Sequence, residues 1–370
     1  MPEDVWPLRK RGRSWGAGKP LNGKRWTVGL SPEFINTVLD NIVRIGYLRR
    51  RYVRWDGYSG LTGRGTGESG MASKSSHQHR LLDLVKQRIV LFDGALGTML
   101  MERGLSSGEP PEKWNLERPD VVKEVHRAYF SAGSDVVQTN TFGGNRLKLR
   151  DKRLDGDLVR INREAVRLAR EVCPPGKFVA GDVGPSGKLM EPLGPHSVTA
   201  LETAFAEQAK ILVDAGVDFF SIETMFSLEE TLAALRGIRG VTDLPLFVSM
   251  SFELKPKGFF TLMGETPQTC VKALEENGAD VLGSNCQLGS REMIDLIKEI
   301  GNWAKIPIIA QPNAGSPVVK GGMTVYEQSP DEFAKDILKI VEAGANVVGG
   351  CCGTTPRFIQ ESRQRLLNRA

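Results

Sequence analysis

What the sequence has little of narrows it first. Its 370 residues hold five cysteines, an odd number in a long chain, which argues against the disulfide framework of a secreted protein. No apolar stretch reaches the roughly 18 residues that a membrane-crossing helix needs. The N-terminus lacks the apolar core of a signal peptide. A reducing cytoplasm fits these absences, and there thiolates stay available to a metal. No Gly-x-Gly-x-x-Gly follows a candidate strand, so nothing supports a dinucleotide site. Histidine is scarce, with four in the chain and only His126 and His196 beyond residue 80.

What is present is globular: 40% hydrophobic and 25% charged residues, enough for one large domain or a domain with an extension. The net charge of +5 is unevenly spread. Residues 1–80 carry 15 Lys and Arg against 6 Asp and Glu, a balance of +9, and the remainder carries 34 against 38, a balance of −4. The larger part is therefore mildly acidic and shows no nucleic-acid footprint.

Residues 1–80 form a basic extension with Gly, Arg and four of the six tryptophans. Arg49-Arg50-Arg51 and Arg54 suit contact with nucleic acid or an anionic membrane, and Ile35 to Leu48 has the pattern of a short amphipathic helix. Met71-Ala72-Ser73-Lys74 reads as an ordinary polar protein start. The favoured expectation is that residues 1–70 are an over-extended start, or a disordered extension without function.

From residue 81 the order is strand, loop, helix, repeated. Strand-length apolar runs occur at 88–95, 135–142, 178–185, 218–225, 246–252, 281–286, 307–313 and 346–352, nearly continuous, as strands buried on both faces should be. Helical patterns lie between them at 119–132, 198–215, 228–239, 266–277, 291–303 and 330–343, with a last one at 357–367. Several end in Ala/Asn-Gly-x-Asp/Asn, as in Ala132-Gly133-Ser134-Asp135 and Ala215-Gly216-Val217-Asp218, where glycine supplies a left-handed cap. Eight such units predict an α/β fold, a (β/α)8 TIM barrel spanning 81–370. An open doubly wound sheet is the alternative.

Barrel active sites sit at the C-terminal ends of the strands. There the sequence places Asp93-Gly94, Thr139-Asn140-Thr141, Asp182, Glu223-Thr224, Ser249, Ser251, Cys286, Asn313 and Cys351-Cys352. The run Gly349-Gly350-Cys351-Cys352-Gly353-Thr354-Thr355-Pro356 ends one strand, and its glycines let both sulfurs turn toward one point. With Cys286 on another strand end, three thiolates converge on one rim and leave a fourth position for substrate, a catalytic rather than structural arrangement for a soft or borderline cation, most plausibly zinc. The bland readings of the vicinal pair are small packed hydrophobes or a strained disulfide. Cys173 and Cys270 read as ordinary side chains, and His126 as a mid-helix core residue.

Six motifs in order carry a family resemblance: Asp93-Gly94-Ala95-Leu96-Gly97-Thr98, Thr139-Asn140-Thr141-Phe142, Ile222-Glu223-Thr224, Asn285-Cys286, Pro312-Asn313-Ala314-Gly315 and the double-cysteine run. Over residues 81–370 the chain resembles the zinc-dependent homocysteine S-methyltransferases, most of all the N-terminal homocysteine-binding domain of cobalamin-dependent methionine synthase. The resemblance implies zinc on Cys286, Cys351 and Cys352, and Asp93 and Glu223 at the homocysteine amino group. It also implies Gly94 and the Asn140 region near the amino-acid carboxylate. It implies an activity: methyl transfer to the homocysteine thiol, giving methionine. No general base is needed for that transfer, which suits the scarcity of histidine. The chain ends at Ala370 without folate, cobalamin or reactivation domains. The expected donor is therefore methylcobalamin on a separate corrinoid protein. The alternatives are an S-methylmethionine- or betaine-type donor, a different thiol acceptor, or a zinc-stabilised docking subunit without chemistry. No nucleic acid or membrane partner is expected.

Overall fold

A computed structural model describes residues 80–320 and 323–368. Apart from Arg80, the basic extension expected over 1–80 lies outside the described residues, as do the helix expected at 35–48 and the arginine cluster. No described helix is long and apolar enough to cross a membrane.

All eight expected strands form: β1 (Val90–Leu91), β2 (Val136–Gln138), β3 (Phe178–Val183), β4 (Phe219–Met225), β5 (Leu246–Met250), β6 (Val281–Gly289), β7 (Ile308–Asn313) and β8 (Val347–Val348). They lie parallel in the order β1-β8-β7-β6-β5-β4-β3-β2. The ring closes between β1 and β2, where the Asp135 amide donates to Leu91 O at 2.6 Å and Leu91 N donates to Asp135 Oδ2 at 3.0 Å. Eight helices follow the strands: α1 (Pro119–Ser131), α2 (Leu158–Glu171), α3 (Val198–Ala215), α4 (Leu228–Arg239), α5 (Pro267–Glu276), α6 (Ser290–Gly301), α7 (Pro330–Glu342) and α8 (Pro356–Leu367). The fold is the (β/α)8 barrel.

The expected boundaries hold within a few residues, with three exceptions. The runs at 88–95 and 346–352 yield strands of only two residues each, and the run at 135–142 yields one of three. Helix α2 was not expected. Its core stripe of Leu158, Ile161, Ala165, Val166, Leu168 and Ala169 is interrupted by arginines and partly made of alanine, which blunts the periodic signal.

The period of two along each strand sorts the side chains into two cores. Val90, Phe92, Val136, Phe178, Phe219, Phe247, Val281, Ile309 and Val347 fill the barrel interior. Phe219 and Phe247 centre their rings 4.6 Å apart, with Phe92 5.8 and 5.9 Å from them. Leu91, Val137, Val179, Phe220, Ile222 and Val248 face the helices instead. Continuing two residues at a time toward the C-terminal ends, the inward positions turn polar: Gln138, Asp182, Ser221, Glu223, Asn285, Gln311 and Asn313. An apolar floor thus carries a polar mouth.

The recurring helix-end motif does two jobs. Gly133, Gly216, Gly278 and Gly344 adopt the left-handed φ expected of them. The Asp or Asn two residues later then accepts a backbone N–H at the start of the neighbouring strand. Asp218 takes Val179 N at 2.7 Å, Asp280 takes Leu246 N at 2.8 Å and Asn346 takes Ile308 N at 3.0 Å, matching Asp135 with Leu91. These clamps fix alternate strand pairs at the floor, opposite the mouth.

Candidate active site

Cys286, Cys351 and Cys352 meet at the mouth, their sulfurs all within 4.8 Å of one another and Cys286 Sγ 3.8 Å from Cys352 Sγ. All five cysteines are free thiols, so the vicinal pair is not a disulfide. Three soft donors around one point fit a borderline cation such as zinc. Among the described residues, no other group of three His, Cys, Asp or Glu side chains is close enough to share an ion. Cys173 stands apart on a turn. Cys270 is buried in α5, and burial pushes its thiol up to about 12.

The sequence puts Cys286 at a strand end, but β6 runs on to Gly289 past a bulge between Asn285 and Gly289. Within it Cys286 and Gln287 take φ of 59° and 56°, a left-handed conformation that costs non-glycine residues of order 1 kcal/mol or more. Thr224 on β4 takes φ 57° as well. The two kinks brace each other: Thr224 N donates to Asn285 Oδ1 at 2.6 Å and Asn285 Nδ2 donates to Thr224 Oγ1 at 2.8 Å.

The vicinal pair is held from the backbone. Cys351 N donates to Pro312 O at 2.8 Å, and Ala314 N donates to Cys352 O at 2.9 Å. Thr354 ties this turn to β1: its hydroxyl donates to Cys351 O at 2.7 Å and accepts Ala95 N at 3.1 Å. A Cβ on Gly94 or Gly350 would stand 2.5 or 2.4 Å from Thr354 Oγ1, so those glycines leave the room in which Thr354 sits.

The sulfurs do not share charge equally. Hydrogen bonds from Cys286 and Cys351 hold Cys352, which lies beside Tyr326, well below the usual thiol range. Cys351 is pushed up by its hydrogen bonds with Cys286 and Cys352 and by burial.

Beside the sulfurs lie three carboxyls without a cationic partner in contact. Asp93 and Asp182 are buried, and each has one oxygen, Oδ1, with no hydrogen bond. Burial first, then repulsion from Glu223, pushes both well above the carboxylate range. Burial, with the nearby Cys352 charge, pushes Glu223 up to about 7. A crowd of desolvated acids favours an arriving cation. Gln138 organises it: its backbone N–H donates to Asp93 Oδ2 at 2.9 Å, its Nε2 donates to Glu223 Oε2 at 2.9 Å, and its Oε1 accepts Gln311 Nε2 at 2.8 Å.

Of the residues expected at the site, Asp93, Gly94, Glu223 and the three cysteines come together at the mouth. Asn140 is placed differently. Its amide donates to Pro111 O at 2.7 Å and Asn115 Oδ1 at 2.9 Å, so it fastens the loop after β1 to the loop after β2. Sequence reasoning gave no role to Gln138, Asn285, Gln311, Thr354 or Tyr326. A signal existed for Gln138 and Gln311, each two residues beyond an inward apolar position on its strand.

Residues 90–366 match the family model described as homocysteine S-methyltransferase. The chain belongs to the homocysteine S-methyltransferase family. Methionine synthase of Mycobacterium tuberculosis is 34% identical over 317 residues, covering 80% of this chain and 26% of that protein. The Mycobacterium leprae methionine synthase is 34% identical over 315 residues, with 79% and 26% covered. The chain thus spans about a quarter of the length of these curated relatives. The metallated form of the homocysteine methyltransferase MmuM from Escherichia coli superposes with a TM-score of 0.64 at 24% identity, over 78% of this chain and 99% of that one. It shares the fold of the family member described here.

Proposed function

We propose that residues 81–370 form a homocysteine-binding barrel that transfers a methyl group to the homocysteine thiol, giving methionine. One observation carries this reading: the sulfur triad and the acid cluster share a single amide. Asn285 Nδ2 is 3.8 Å from Cys351 Sγ and 3.3 Å from Glu223 Oε2, so the two ends of the pocket lie within about 7 Å. That spacing matches a short amino acid bearing a thiol at one end and an ammonium at the other.

In this reading Cys286, Cys351 and Cys352 hold zinc, which when bound supplies a Lewis acid that lowers the pKa of the acceptor thiol. Glu223 and Asp93 take the ammonium, whose charge replaces the missing partner of the buried acids. Gln138 keeps those two carboxyls aimed, and the Gly94 backbone lines the amino-acid carboxylate. Asn140 shapes the adjoining wall. His126 is buried in α1 and stays out of the chemistry. Three free thiols suit a reducing compartment such as the cytoplasm.

The donor we propose is methylcobalamin on a corrinoid protein. Two features support a macromolecular donor. The matched relatives, named methionine synthases, are about four times longer than the matched stretch. Leu189, Leu193, Leu254, Leu262 and Met263 are exposed on loops or hairpins that follow strand C-terminal ends, and Met101 is exposed at the end of the short helix Leu96–Met101, an apolar rim fit for docking. One feature favours a small sulfonium or ammonium donor instead: Asp182, a third buried acid with an unpartnered oxygen.

The test is methionine formation by the purified zinc-loaded protein with homocysteine and, in turn, methylcobalamin, S-methylmethionine and betaine. Turnover with methylcobalamin alone supports the proposal. Turnover with S-methylmethionine or betaine alone moves the donor to the second reading. No turnover with any donor contradicts the proposed acceptor.

A further inference from the structure

Cys351 receives a side-chain hydrogen bond from outside the triad, from Asn285 Nδ2, and Tyr326 lies beside Cys352. Tyr326 comes from the segment between β7 and α7, just after the hairpin of Val318–Lys320 and Met323–Val325. Its position is built rather than accidental. Its ring lies on the Cys351–Thr354 turn so closely that a Cβ on Gly353 would stand 2.4 Å from Tyr326 Cγ. Gly353, at φ 79°, is both left-handed and bare where the ring sits, and its N–H is taken by Thr98 Oγ1 at 3.1 Å. Two residues on, Gln328 N donates to Ala314 O at 3.1 Å, while Ala314 N holds Cys352 O at 2.9 Å. The same short turn after β7 therefore clamps the cysteine pair on one side and the Tyr326 segment on the other. The Gln328 side chain is fixed in turn by Ser290 and Asp336, with Nε2 donating at 2.6 and 3.0 Å.

We propose that Tyr326 is a positioning residue of the metal centre: its ring covers the double-cysteine turn and its hydroxyl donates to Cys352 Sγ. A donor to a ligating thiolate draws off electron density, fixes the direction of the sulfur lone pairs and replaces the water that would otherwise solvate it. The inference rests on the reading of the triad as a metal site.

The test compares Tyr326→Phe, which keeps the ring, with Tyr326→Leu, which loses ring and hydroxyl. Zinc affinity is measured by chelator competition, and the sulfur-to-cobalt charge-transfer band is recorded on Co2+-loaded protein. Tyr326→Phe is expected to weaken zinc binding about tenfold or more, the usual effect of losing a partner of a metal ligand. It should also move the band to lower energy while leaving the melting temperature of metal-free protein unchanged. Tyr326→Leu should weaken zinc further. If the parent binds Co2+ and Tyr326→Phe matches it in band and affinity, the assignment is overturned. A parent that takes up neither ion overturns it together with the metal reading.

Discussion

Asn285 donates its side-chain amide to Glu223 Oε2 at 3.3 Å, across the gap between β6 and β4. The same amide nitrogen contacts Thr224 and Cys351, so one residue couples the acid cluster to the sulfur triad. Asn285→Ala leaves Glu223 and the Thr224 amide short of a partner inside a buried site. Losing such bonds costs about 1–3 kcal/mol, and the homocysteine KM is expected to rise roughly 10- to 100-fold. Steady-state kinetics at saturating donor, with zinc content measured alongside, separates this from simple metal loss.

Gly350 faces Thr354, and Gly350→Ala places a Cβ 2.4 Å from its hydroxyl oxygen, closer than side chains tolerate. The hydroxyl that pins Cys351 O must move, and the cysteine pair with it. Bound zinc should fall below half occupancy while the far-ultraviolet circular dichroism of the barrel persists. Full zinc occupancy in this variant would show that Thr354 does not set the turn.

Much of this was legible in the sequence, and the parts that were not share a physical cause. Periodic apolar runs and glycine-capped helices announced all eight strands, because each element obeys its own local rule. The cysteine triad was legible because three strand ends of a closed barrel face one mouth. The bonding of the Asn140 side chain was not legible, because its position on a strand end says nothing of the neighbour, Asn115, that takes up its amide. Tyr326 was missed because its contact with Cys352 depends on a hairpin whose path no periodicity predicts. The Asp of the helix-end motif was read only through its glycine, since its partner belongs to another strand.

That Asp matters most at position 135, where Arg88, Lys177 and Arg363 surround a carboxylate that is 2% exposed. Burial alone would raise its pKa, but Arg88, Arg363 and Lys177 together hold it well below the carboxylate range. A depressed folded pKa means the contribution is complete above the unfolded value near 4 and is lost as pH falls below it. Asp135→Asn should cost about 2–3 kcal/mol at neutral pH, less than the full cost of breaking a buried pair because Arg88 is partly exposed. Denaturant titrations at pH 7 and pH 3 check both points, since the parent's advantage over the variant should shrink at pH 3 without vanishing, because the folded carboxylate is still ionised there.

His126 adds a second loss of stability on acidification, from burial alone and at a higher pH. It is fully buried, neither ring nitrogen has a partner, and burial pushes its pKa down to about 4. Protonation thus favours the unfolded chain. The stability it protects is complete above about pH 6.5 and declines as pH falls toward 4, by at most about 3 kcal/mol. His126→Leu should flatten the decline in unfolding free energy between pH 7 and pH 5, and an unchanged slope would assign that decline to other groups.

In the proposed function Cys286, Cys351 and Cys352 form one metal centre that meets the homocysteine sulfur. X-ray absorption at the zinc edge, on purified protein with and without homocysteine, reads that shell. Three sulfur neighbours per zinc are expected in the parent, four after homocysteine is added, with loss of stoichiometric zinc in each of Cys286→Ser, Cys351→Ser and Cys352→Ser. Fewer than three sulfurs in the parent, or a shell that homocysteine leaves unchanged, would contradict it.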